Sequence, residues 1–132
     1  MNVFEAGIIA GAPAGAAIGA AVGQPAGPLG VAGGAIAGLV VGGAAGWLYA
    51  LLFLVLVSIA GVLWRAARGR ADAVPSEAEM ERMMRVGIRG IVFGVLAALL
   101  CWFRFGWLPA VAAALAIEVG TAFAAVAGCE LR

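Results

Sequence analysis

Apolar and small residues run without a charge from Ala6 to Trp64, 59 positions in all, and the polar positions that follow gather into one stretch, Arg65 to Arg85. Two further apolar runs, about 86–103 and about 108–127, are parted by Arg104-Phe105-Gly106-Trp107. A bilayer core of about 30 Å is crossed by roughly 20 helical residues, so the first run, about 88 Å as one straight helix, must turn. The stretch Gly23-Gln24-Pro25-Ala26-Gly27-Pro28-Leu29-Gly30 supplies that turn. Its prolines remove amide donors, and its glycines permit a tight reversal.

The pattern therefore predicts a first helix from about Val3 to Gly23, although Pro13 interrupts it, and a second from about Leu29 toward Arg68. Ser76 followed by Glu79 has the spacing of a capping box, so a third helix should start there and continue through about Phe103. Glu81 and Arg85 suit a surface pair on its first turns, and Met80, Met83 and Met84 give it an apolar side. Pro109 suits the first turn of a fourth helix, about Leu108 to Ala127. The fold class is an all-α integral membrane protein with four transmembrane helices in two hairpins. Its parts are a glycine-rich hairpin (1–64), a polar cytoplasmic loop with the start of an amphipathic helix (65–85), and a second hairpin (86–132). A three-crossing topology, with the first helix lying at the interface, is the alternative.

Composition strengthens this reading: 65% of the 132 residues are hydrophobic and 11% charged, too few for the surface of a soluble domain. The opening Met1-Asn2-Val3-Phe4-Glu5 lacks the basic start of a secretory signal, so the first segment is expected to be retained. Charge also orients the chain. Arg65, Arg68, Arg70, Arg82 and Arg85 share one loop against Arg104 alone on the other side, which places that loop and both termini in the cytoplasm. The expected location is a bacterial cytoplasmic (inner) membrane. Trp64 beside Arg65, and Trp102 and Trp107 around Arg104, fit interfacial belts.

Glycine recurs at every fourth position, Gly7, Gly11, Gly15, Gly19 and Gly23, and again at Gly34, Gly38, Gly42 and Gly46. The last helix carries Ala112, Ala116, Gly120, Ala124 and Gly128 at the same interval. Residues four apart share a helix face, so these are stripes without bulk. In lipid, helices associate through close van der Waals approach, which small residues allow. The two glycine ladders flank a turn, and their simplest use is against each other. Residues 7–46 resemble the glycine-zipper membrane hairpins of small bacterial envelope proteins, a resemblance that implies tight hairpin packing and self-association and carries no chemistry. The glycine run followed by Gly23-Gln24-Pro25 is also similar to the hairpin of a rotary ATPase proteolipid. The second helix of such a hairpin needs a membrane carboxylate, and none stands between Leu29 and Trp64.

Glu118 is the one carboxylate well inside a predicted crossing, roughly 16 Å below Trp107. It stands nearly opposite the small stripe, on the side of Val111, Leu115, Thr121 and Ala122. Such a group marks a buried pair, an ion or proton site, or a neutral acid. Arg89 is its candidate partner across an axial gap of roughly 6 Å, with snorkelling to the headgroups as Arg89's other use. Cys101 and Cys129 read first as small apolar side chains, although two cysteines can pair, and with no histidine a Cys/His zinc cluster is excluded. No nucleophile-base set, phosphate loop or metal spacing is present, so no enzyme activity and no cofactor are expected. Nor does the local placement of the arginines support nucleic-acid binding. The expected role is a small non-catalytic membrane subunit whose partners are lipids, further copies of itself or other membrane subunits. The alternative is an ion or proton channel or transporter subunit using Glu118.

Overall fold

A computed structural model of the chain describes residues 2–69 and 74–128. Arg70, Asp72 and Cys129 lie outside the described residues. The elements are α1 (Val3–Gly23), one turn of 3-10 helix (Gln24–Ala26), α2 (Gly27–Ala67), α3 (Glu77–Phe105) and α4 (Trp107–Gly128). Among the described residues, three helical stretches are long and apolar enough to cross a membrane: Val3–Ala67, Glu77–Phe105 and Trp107–Gly128. Helix ends fall within a few residues of those the sequence predicts.

Local chemistry explains the boundaries. Asn2 and Glu5 form a capping box at the start of α1, with Glu5 N–H donating to Asn2 Oδ1 (2.8 Å) and Asn2 N–H to Glu5 Oε2 (2.9 Å). This box was legible in Asn2-Val3-Phe4-Glu5 but was not part of the sequence expectation. Ser76 and Glu79 make the expected box at α3, and Arg85 pairs with Glu81 at 3.1 Å. Both reversals turn on glycines with positive φ, Gly27 at 73° and Gly106 at 94°, where a side chain would strain the backbone. Pro13 stays within α1 on its exposed face, and the helix continues past it.

The first apolar stretch folds back at Gln24–Ala26, and α1 lies antiparallel along the N-terminal half of α2. α2 is regular from its glycine-rich start, 41 residues and about 61 Å long, so its second half runs on beyond α1. There it joins the α3/α4 hairpin. Val3, Ala50, Phe53, Ile91 and Ala122 form the buried core where all four helices meet. Phe4 stacks on Trp47, with ring centres 5.6 Å apart, and closes the α1 end of that core.

Candidate functional site

The two glycine ladders meet rung by rung: Gly7 faces Gly46, Gly11 faces Gly42, Gly15 faces Gly38, Gly19 faces Gly34 and Gly23 faces Gly30. Each step of four up α1 is a step of four down α2, the register an antiparallel pair requires. A Cβ added at Gly15 would fall on the Gly38 carbonyl oxygen and within 2.7 Å of Gly42 Cα. The contact is backbone against backbone, with no side chain able to move aside.

α3 uses glycine differently. Gly87 receives the Phe53 ring, Gly90 the Thr121 side chain and Gly94 the Tyr49 hydroxyl end. These three glycines on one face of α3 are sockets for side chains of α2 and α4. The sequence reading passed over them because their spacing, three and then four, breaks the uniform four-residue ladder. The signal was present in Gly87-Ile88-Arg89-Gly90-Ile91-Val92-Phe93-Gly94, since positions three and four apart share a helix face.

Glu118 stands on α4 one turn before Thr121, which fills the Gly90 socket. It is 0% exposed, and neither carboxyl oxygen has a hydrogen-bond partner among the described residues. Arg89, the candidate partner, does not bond it, which leaves Arg89 its other use. Arg89 sits on the exposed side of α3, one position from the inward Gly90, so a rotation of about 100° per residue turns its side chain away from Glu118. Two hydroxyl groups bond the α4 backbone within one turn of the acid. Tyr49 Oη donates to the Ala114 carbonyl at 2.7 Å, one turn before Glu118 on α4, and lies within electrostatic reach of it. Thr121 Oγ1, one turn after, donates to the carbonyls of Ile117 (2.9 Å) and Glu118 (3.0 Å). The contact leaves no local signal in the sequence, because 65 residues separate Tyr49 from Ala114.

The small stripe on α4 stays open rather than packing against another described helix. Ala112, Ala116, Gly120, Ala124 and Gly128 are exposed, and nothing lies within 4 Å of a Cβ added at Gly120. Of the neighbours expected beside Glu118, Thr121 and Ala122 turn inward with it, while Val111 and Leu115 stay exposed. Val111 nonetheless borders a cavity of about 310 Å³ shared by all four helices, whose walls include Gly11, Gly46, Tyr49, Ala98 and Ala114. Cys101 is a half-buried free thiol.

Compared with known proteins, the chain matches no family model, no curated protein and no solved structure.

Proposed function

We propose that the chain is a small, non-catalytic integral membrane subunit of four crossings in two hairpins. Its 65–85 loop and both termini face the cytoplasm of a bacterial cell, and it assembles with copies of itself or with other membrane subunits. The observation that carries this reading is the exposed stripe on α4. The ladders of α1 and α2 are occupied by each other, whereas Ala112, Ala116, Gly120 and Ala124 present the same flat surface with no helix of their own chain upon it. In lipid such a surface allows close approach of another helix. Native mass measurement in lipid discs tests it: an oligomer or complex is expected, dispersed by Ala116→Trp without loss of melting temperature. A strictly monomeric, partnerless chain overturns it.

Orientation is tested separately by an impermeant thiol reagent on single cysteines in a cysteine-free background. Ala78→Cys should be protected from outside, with Gln24→Cys and Phe105→Cys labelled there. Labelling of residues 24 and 78 from one side would overturn the four-crossing reading.

A second reading, an ion or proton channel or transporter subunit, is favoured by Glu118 itself, a carboxyl group closed off from water with both oxygens unpartnered. Buried charged groups at membrane depth are costly and serve ion pathways when they are kept. A proton or cation flux assay on reconstituted protein should then fall to background in Glu118→Gln; no flux in the unaltered protein would reject this reading.

A further inference from the structure

We infer that Glu118, the Tyr49 hydroxyl and the Thr121 hydroxyl form a binding site for one small monovalent cation, a proton or a sodium-sized ion. The inference rests on the second reading above in that Glu118 handles an ion, and it adds what holds the ion. An ionised carboxylate removed from water requires a positive charge beside it or a proton upon it. No protein cation fills that role among the described residues. On α2, Tyr49 lies within electrostatic reach of Glu118, while Arg65 donates to the Gly61 carbonyl and Arg68 lies over the Trp64 ring. α3 turns Gly87, Gly90, Ile91 and Gly94 inward and Arg89 outward, and α1 contributes Val3, Ala6 and Gly7, with Glu5 engaged in the capping box at Asn2.

The hydroxyl groups decide the sign of the ligand. Each has one hydrogen to donate and lone pairs to accept with. Tyr49 gives its hydrogen to the Ala114 carbonyl, and Thr121 gives its own to Ile117 and Glu118. What both have left toward their surroundings is lone pairs. The acid is therefore flanked by acceptors with no free donor, a setting that excludes an anion or a second carbonyl and suits a cation. The full burial of Glu118 keeps the ligand small.

The test uses the full chain in lipid discs and a lipid-soluble carbodiimide, which adds to a protonated carboxyl group; intact mass reads the adduct, with Glu118→Gln as the blank. A bound cation competes. Excess sodium at about ten times its dissociation constant should slow labelling roughly tenfold at fixed pH, with choline without effect. If sodium is inert and labelling instead slows about tenfold per pH unit on the alkaline side, the ion is a proton. Either outcome supports the site, and labelling indifferent to both overturns it. Tyr49→Phe and Thr121→Val keep the shape and should shift the sodium or pH midpoint roughly tenfold while the helical spectrum is retained, a change a merely structural role would not produce. Unmoved midpoints in both variants would remove the hydroxyls from the site. Cation-sensitive labelling without flux keeps the site and rejects transport, whereas flux with cation-insensitive labelling rejects the site alone.

Discussion

The α1/α2 hairpin and the α3/α4 hairpin both depend on glycine, yet they use it in opposite ways. Between α1 and α2, glycine faces glycine and two backbones touch along five rungs. On α3, glycine faces Phe53, Thr121 and Tyr49, so each missing side chain is a hole that another fills. The first arrangement is repetitive: moving one helix by four residues would set glycine on glycine again, and the short turn at Gln24–Ala26 is what holds the register. The second is specific, because a ring, a branched hydroxyl and a phenol are not interchangeable. It is also the region that encloses Glu118. Repetition yields close approach, and a specific socket yields a place where one polar group can be held.

The largest effect is expected where nothing can yield. Gly15→Leu or Gly38→Leu must part the two backbones, at a cost of about 3 kcal/mol or more, beyond ordinary overpacking. Leu54→Ile, a volume-conserving change beside the core, should cost less than about 1.5 kcal/mol. Thermal aggregation of purified variants reads both, and wild-type melting of the two glycine variants would mean the zipper is not what holds the hairpin.

At the sockets the cost should be recoverable. Gly87→Ala sets a methyl group against the Phe53 ring and should cost about 1–3 kcal/mol; Gly87→Ala with Phe53→Leu should restore part of it, with a coupling of about 0.5–3 kcal/mol in a double-mutant cycle. Strict additivity there would erase the distinction between socket and zipper.

Arg89 and Glu118 should show the reverse. Because the structure keeps them apart, Arg89→Gln and Glu118→Gln should combine additively in melting experiments, within about 0.3–0.5 kcal/mol. A coupling above about 1 kcal/mol would bring the ion pair back and remove the reason to place a cation at Glu118.

The smallest effect has the opposite sign. Gly120→Ala meets open space and should stabilise the isolated chain by up to about 1 kcal/mol through helix propensity. Gly42→Ala, the same chemical change, would set a methyl group on the Gly11 carbonyl and should destabilise. If both variants shift melting in the same direction, the two glycines do not differ as their surroundings say they do.

Much of the fold could be read from local pattern. The uncharged run, the Pro/Gly turn, the Ser76–Glu79 cap and Pro109 are features within a few residues of one another, and helix location depends on such near neighbours. The ladder register also follows from sequence once a tight turn is granted, because equal spacing on both arms leaves one antiparallel match. What the sequence could not determine is which face of each later helix turns inward. Small residues on α4 and small residues on α3 look alike in a list, yet one set lies open and the other receives Phe53, Thr121 and Tyr49. The same limit left two uses open for Arg89: an axial estimate gives its depth but not its azimuth, and one residue of rotation is about 100°. The surroundings of Glu118 were decided by tertiary structure alone, because Tyr49 reaches Ala114 across 65 residues of chain, and a contact of that span leaves no periodic trace in the sequence.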